Sequence, residues 1–309
     1  MTSLKNLFKT FSKLTILEKL FYSLAVTVIF IIIINYSKPI TEGFDKKSIE
    51  FNSHKENIYD PFYVDIYDDL VFAKHKNDFE IKQIIDNTSP NNNSLFLDVG
   101  SGTGHHIASL DAHGYKGIGL DKSSAMINKS KETYPDLDFQ LGDVLSSMTF
   151  SPNTFTHITC LYFTIYYIQD KQLFFNNAMS WLKPGGYLVI HLVDRDNFDP
   201  ILPGGDPFLY ISPQNYTDKR ITNTNITFKD GMKYKANFEY YPQNDISVLK
   251  ETFKFKEGNV RHQEHKFYMP TQKKILTLAK NVGFKLIKKI DLLPVQYENQ
   301  YLYILQKPN

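Results

Sequence analysis

Cysteine is almost missing: Cys160 is the single one in 309 residues. That excludes an intrachain disulfide framework and any multi-cysteine zinc site, and leaves the compartment open. An excess of either charge is missing too. Lys plus Arg number 35 and Asp plus Glu 33, for a net charge of +2. A general nucleic-acid binder carries a strong basic excess, so no nucleic-acid partner is expected. A disordered acidic chain is excluded by the same balance. No Gly-Lys-Ser/Thr follows the glycine-rich segment, which removes a Walker-type phosphate loop, and the chain holds no internal repeat. What it does have is apolar mass. Hydrophobic residues make up 42% and aromatics 15%, enough for a sizeable core. The length suits one large domain, or two modest ones, beside a tail.

Residues 20–37 carry no charge. As a helix they would run roughly 27 Å, close to a bilayer's hydrocarbon thickness. Phe21, Tyr22 and Tyr36 stand near the ends, where amphipathic rings favour an interface. The segment reads as a single-pass membrane anchor, after a short tail (1–19) and before a polar tether (38–52). A cleaved signal peptide is the rival, but no small-residue site follows Ile34. Lys5, Lys9, Lys13 and Lys19 precede the run and Lys38, Lys46 and Lys47 follow it, a slight preference for a cytoplasmic N-terminus.

From residue 53 to 309 the pattern is that of one domain. LFLDV, ending at Val99, is a continuous apolar run that fits a strand buried on both faces of a parallel sheet. Helical and strand segments then alternate: HIASLDAH, GIGLD, SSAMINKSKETY, DFQLGD, HITCLYF, a helix over 171–182, and YLVIHLV. Such alternation predicts an open α/β sheet with right-handed crossovers, with ligands beyond the carboxyl ends of its strands. Residues 205–269 break the rhythm. Met232, Tyr234, Ala236, Phe238 and Tyr240 alternate with polar residues, and Gly231 and Gly258 mark turns, so an antiparallel insertion is expected there. A helix from Thr271 and two strands close the domain.

Three carboxylates end three successive strands: Asp98, Asp121 and Asp143. Between the first two lies Gly100-Ser101-Gly102-Thr103-Gly104, a strand-to-helix loop where glycines allow a tight turn and close approach of backbone to ligand. Reading from Gly100, the dinucleotide fingerprint fails at His105. Asp98 would repel a pyrophosphate and favour a cationic ligand. Asp121 stands where a carboxylate accepts from both hydroxyls of a ribose and rejects a 2′-phosphate. Asp143, after Gly142, can accept from an adenine amine, with the Val144 amide as a second polar contact. A cation, a ribose and an adenine in that order describe S-adenosylmethionine.

The stretches Asp98 to Gly104, Gly119-Leu-Asp121-Lys122-Ser-Ser-Ala-Met126, Gly142-Asp143 and Leu182-Lys-Pro-Gly-Gly186 resemble the successive motifs of class I S-adenosylmethionine-dependent methyltransferases of the broad type 11 sort. The resemblance covers about residues 55–195 and the terminal strands. It implies a Rossmann-like seven-stranded sheet whose last strand is antiparallel, with the insertion after the fifth strand as a lid. It implies that Asp98 and residues Gly100, Ser101, Gly102 and Gly104 hold the methionine moiety. Asp121 would hold the ribose, Met126 would pack against the adenine and Asp143 would contact the adenine amine, with Lys122 also among the cofactor-binding residues. Residues 160–167, Cys160 first among them, would line the methyl-transfer site.

The sulfonium methyl is already activated, so catalysis mainly needs position and exclusion of water. His191 is the first choice of base and Tyr166, with Tyr167, of a wall of the acceptor cavity. Asp194 and Asp196 are weaker alternatives for a base. Tyr59, Tyr63 and Tyr67 form a helical stripe read as core packing, with a cap over the cofactor as alternative. Arg261 with His265, and His262 with Glu264, read as two sides of one strand, solvated by default. His105 and His106 read as surface residues of a helix start. The reading is a membrane-anchored methyltransferase acting on a small-molecule or lipid-like acceptor, of open oligomeric state; a supply of S-adenosylmethionine favours a cytosolic catalytic domain, which the lysine count does not confirm. A noncatalytic cofactor-binding protein and a NAD-dependent oxidoreductase are the alternatives.

Overall fold

The computed structural model describes residues 15–37, 50–52, 58–202, 204, 214, 217 and 219–309. It divides into two compact units, residues 1–48 and 49–309. The first contains one described helix, α1 (Ile16–Ser37). It starts with a capping box: the Glu18 carboxylate accepts from the Thr15 amide at 2.8 Å and the Thr15 hydroxyl from the Glu18 amide at 3.4 Å.

Among the described residues no helix is long and apolar enough to cross a membrane. This corrects the expected single-pass anchor at residues 20–37, and with it the membrane partner and the membrane localisation. The helix is present, but Glu18 and Lys19 sit in its first turn. The side chains of residues 28–37 lie outside the described set. Residues 1–14 of the expected tail (1–19) and 38–49 of the expected tether (38–52) also lie outside the described residues.

The second unit opens with β1 (Glu50–Asn52), placed by expectation at the end of the tether. Then come α2 (Pro61–Val71), α3 (Lys74–Thr88), β2 (Leu95–Val99), α4 (His105–Ala112), β3 (Lys116–Asp121), α5 (Ser124–Thr133), β4 (Asp138–Leu141), β5 (Phe155–Cys160), α6 (Thr164–Tyr167), α7 (Lys171–Trp181) and β6 (Leu182–Val193). The inserted strands follow: β7 (Asn223–Thr227), β8 (Lys233–Tyr241), β9 (Ile246–Lys254) and β10 (Val260–Tyr268). The chain returns through α8 (Gln272–Val282), β11 (Lys285–Asp291) and β12 (Gln300–Gln306).

The main sheet has seven strands in the order β11-β12-β6-β5-β2-β3-β4. β12 runs antiparallel to both neighbours and the other pairings are parallel. The central strands are buried at successive positions because both faces are covered. In β2, Leu97 and Val99 enter one core while Phe96 enters the other; in β12, Tyr303 and Leu305 face one core and Leu302 and Ile304 the other.

The insertion makes a five-stranded sheet, β1-β10-β9-β8-β7, with β1 parallel to β10 and the rest antiparallel. Its period-2 pattern buries Tyr234, Ala236 and Phe238 from β8 and Leu249 and Phe253 from β9. All five join the same hydrophobic cluster as Leu97, Ile190 and Tyr303 of the main sheet. The inserted sheet therefore shares a core with the strands whose ends carry the acids.

Candidate active site

β2 ends at Val99 and the chain turns sharply before α4. The Gly100 and Ser101 amides both donate to the Leu120 carbonyl, at 2.7 and 3.1 Å, folding the loop against the end of β3. Gly100 and Gly104 have φ of +68° and +95°, a region that a Cβ makes costly. A Cβ on Gly100 would stand 2.4 Å from Thr164 Cγ2, and one on Gly104 2.7 Å from the Phe139 ring. The loop backbone thus lies closer to α6 and β4 than a side chain permits.

Asp98 is buried. Its Oδ1 accepts from the Thr159 hydroxyl at 2.7 Å, while Oδ2 has no hydrogen-bond donor. The facing basic group is His106, whose Nδ1 is 3.7 Å from Oδ2. Burial pushes the Asp98 carboxyl pKa up, against the opposing pull of His106 and Thr159. A buried acceptor without a donor is costly, so an N–H or cationic group of a ligand satisfies a need the protein leaves open.

Asp121 accepts from the Gly102 amide at 2.9 Å through Oδ2 and from the Ser123 amide at 2.8 Å through Oδ1. Burial pushes its pKa up; the amides pull the other way. Asp143 is half-exposed, accepts from the Leu145 amide at 2.9 Å, and lies 3.4 Å from Lys122 Nζ.

One cavity of about 810 Å³ is lined by Asp98, Asp121 and Asp143 together with Gly100, Ser101 and Gly102 of the loop. Lys122, Met126, Gly142 and Val144 also line it. Four expected site residues do not. Gly104 packs against Phe139 and Ser130 instead. Cys160 is fully buried and its thiol pKa is pushed up by burial. The buried Tyr166 hydroxyl accepts from the Val193 amide at 2.8 Å. His191 is fully buried, its Nδ1 donates to the Tyr162 carbonyl at 2.7 Å, and burial holds its pKa at about 4.

Several cavity groups went unread in the sequence. Lys76 and Glu80, one turn apart on α3, are buried and paired at 2.6 Å, and His106 Nε2 reaches the same carboxylate at 3.3 Å. Burial opposes ionisation of Glu80, yet Lys76 and His106 hold its carboxyl at about 2. Opposite charges at i,i+4 on a helix face that also buries Ile81 and Ile84 were the available signal. His105 and His106, expected on the surface, are half-buried and line the cavity. The His105 ring stacks on Phe72 at 3.7 Å and its Nε2 donates to Asp68 at 2.9 Å.

Tyr59, Tyr63 and Tyr67 cluster with ring centroids 5.6 to 6.1 Å apart, and all three line the cavity. The strand β10 also departs from expectation on one side. Arg261, Gln263 and His265 are buried rather than solvated, while Glu264 on the opposite side is exposed. Glu251, in register with Leu249 and Phe253 on the inner face of β9, is nearly fully buried and meets His265 Nε2 at 2.6 Å. Among the described residues no group of three or more His, Cys, Asp or Glu is arranged to hold a metal ion.

Comparison with known proteins gives a concordant picture. A family model described as a methyltransferase domain matches residues 97–190. A putative methyltransferase of Invertebrate iridescent virus 6 is 27% identical over 198 residues, 54% of this chain and 73% of the viral protein. The demethylmenaquinone methyltransferase of Renibacterium salmoninarum is 30% identical over 104 residues, 34% of this chain and 43% of that enzyme. Among solved structures, an S-adenosylmethionine-bound amino pentose methyltransferase from Micromonospora echinaspora superposes with a TM-score of 0.57 at 17% identity, covering 82% of this chain and all of that one. At that identity the likeness is one of fold.

Proposed function

Since the chain is a class I S-adenosylmethionine-dependent methyltransferase, we propose that its cavity binds this cofactor along the strand ends and presents it to a small-molecule or lipid-like acceptor. The observation that carries the reading is the meeting of three acids and a glycine loop in one cavity. In this reading the unpartnered Oδ2 of Asp98 faces the cofactor's ammonium group. Asp121, fixed by two backbone amides, accepts from the ribose hydroxyls. Met126 and Val144 pack on the adenine and Asp143 takes its amine.

The acceptor then lies on the other side of the cavity, where Tyr162, Phe163, Phe198, Phe238 and Phe267 present apolar surface. Phe163 stands 5.6 Å from Phe198 and 5.4 Å from Phe267, ring to ring. Such walls favour a molecule with a substantial apolar body. They also exclude water from the transfer, and the inserted sheet acts as the lid. His191 does not line the cavity and its Nδ1 donates to the Tyr162 carbonyl, which speaks for a supporting role rather than that of a base.

Calorimetric titration tests the cofactor half: S-adenosylmethionine binds and NAD does not. Mass spectrometry of metabolite and lipid extracts incubated with the protein and deuterated-methyl cofactor tests the rest. Labelled products of low molecular mass are expected. Label confined to protein would overturn the acceptor class, and silence across extracts would favour a noncatalytic binder.

A further inference from the structure

A directed hydrogen-bond chain runs from the cavity into the inserted sheet. The Tyr59 hydroxyl donates to the Tyr167 hydroxyl at 2.8 Å. The Tyr167 hydroxyl meets His265 Nδ1 at 2.6 Å, and His265 Nε2 meets Glu251 Oε2 at 2.6 Å. Glu251 is also the acceptor for Tyr63 at 3.0 Å, for Tyr234 at 2.5 Å and for Gln263 at 2.5 Å. Burial alone would neutralise this carboxyl, but His265 and the other donors bring its pKa below the ordinary value. An ionised Glu251 accepts and never donates, so it fixes the proton on Nε2 and leaves Nδ1 as an acceptor. Tyr167 must then donate to Nδ1 and Tyr59 to Tyr167. Every hydrogen in the chain points inward. What remains open at the cavity end is lone pairs on the two phenol oxygens, and Tyr59, Tyr167 and His265 all line the cavity.

We infer that Tyr59, Tyr167, His265 and Glu251 form a proton relay that takes the proton of a hydroxyl acceptor, making the enzyme an O-methyltransferase for apolar, hydroxyl-bearing molecules. The inference rests on the cofactor and acceptor reading above and extends it. The acceptor hydroxyl donates to an open phenol oxygen. Its oxygen lone pair forms the new bond to the cofactor's methyl carbon as the carbon–sulfur bond breaks with its electron pair going to sulfur. The acceptor proton enters the phenol, each phenol passes its own proton inward, and the last reaches His265 Nδ1. The imidazolium so formed stands against the Glu251 carboxylate, which stabilises it; on product release it returns the proton to water. Both phenols stay neutral throughout, consistent with burial holding Tyr59 and Tyr167 well above the usual tyrosine pKa. Among the described residues the groups that face His265 are Tyr59, just before α2, Tyr63 in α2, Tyr167 from α6, Glu251 from β9, and Gln263 and Phe267 on its own strand.

A nucleophile without a proton, such as a tertiary amine or thioether, would gain nothing from this chain. The test uses the full chain, deuterated-methyl cofactor and extracts, with the labelled atom located by fragmentation. Label on oxygen is expected; label only on nitrogen, sulfur or carbon overturns the inference. On the product so found, Tyr167→Phe should lower kcat about 100-fold or more, the range of a general base, with cofactor affinity and KM changed less than about threefold. His265→Gln should lose rate at neutral pH and regain it as pH rises and the acceptor ionises unaided, which loss of packing alone would not produce. Tyr59→Phe, which leaves Glu251 and its donors untouched, guards against misfolding of the other two. Unchanged kcat in Tyr167→Phe and Tyr59→Phe, or a pH-independent loss in His265→Gln, refutes the relay while leaving the methyltransferase reading intact. Failure of the unaltered chain to bind the cofactor refutes both.

Discussion

Two backbone amides hold the Asp121 carboxylate, one from the glycine loop and one from the turn into α5. A ribose lying between them would lose a charged acceptor in Asp121→Ala. Calorimetry should find S-adenosylmethionine binding weakened by roughly 1–3 kcal/mol, the range for removing a hydrogen bond to a charged group. Unchanged affinity would put the ribose elsewhere. Two buried histidines make a second prediction. Burial lowers the pKa of His157 and of His191 from 6.5 to about 4. Between those values the unfolded chain binds protons that the folded chain refuses. Stability is therefore complete above about pH 6.5 and falls as pH drops toward 4, by on the order of 1.4 kcal/mol per pH unit for each histidine. His157 sits between Phe96 and Tyr187, at 4.3 and 5.6 Å ring to ring. His157→Phe should flatten that slope by about one proton in urea melts at pH 7 and 5; an unaltered slope would mean His157 is protonated in the fold. Legibility at this scale followed strand ends. Asp98, Asp121 and Asp143 were readable because a carboxylate closing an apolar strand stands out. Glu251 was not, because nothing in ISVLKETFK alone says which face of the strand is inner.

The elements themselves explain what was visible. Continuous apolar runs such as LFLDV, and strict alternation such as MKYKANFEY, reflect coverage of two faces and of one face, and both became strands near where their periods placed them. The polar Asn52–Pro61 region and the short α6 carry no such period, so the Tyr59 and Tyr167 contacts arise from tertiary placement alone. α2 shows how local and long-range roles meet at one residue. Asp60 caps this helix through the Tyr63 amide at 3.0 Å and pairs with the Arg261 guanidinium of β10 at 2.7 Å. Asp60→Ala removes both, and thermal or urea unfolding should show a loss of about 1–3 kcal/mol from cap and partly buried ion pair. A loss below about 0.5 kcal/mol would show that solvent replaces both contacts. Gly104→Ala should be worse tolerated, since a positive φ and a rigid Phe139 ring both oppose the new methyl; about 2–4 kcal/mol is expected from strain and overpacking together.

At the scale of the whole molecule, the sequence made the α/β sheet legible from its strand–helix rhythm, whereas the apolar character of residues 20–37 suggested more than the described helix supports. The reason is that hydrophobicity says a segment seeks cover without saying which cover. Within residues 49–309 every described strand is paired and both hydrophobic clusters are built from that unit alone. The described lining of the cavity runs from residue 58 to residue 300, all within the second unit. A chain beginning at Ile49 should therefore fold cooperatively, keep its midpoint of thermal unfolding within about 3 °C of the full chain, which corresponds to less than about 1 kcal/mol at this size, and bind S-adenosylmethionine with unchanged affinity. Starting at residue 53 instead would delete β1 and uncover the β10 edge, so that shorter chain should be the less stable of the two. Equal loss of cofactor binding in both would mean that residues 1–48 complete the site.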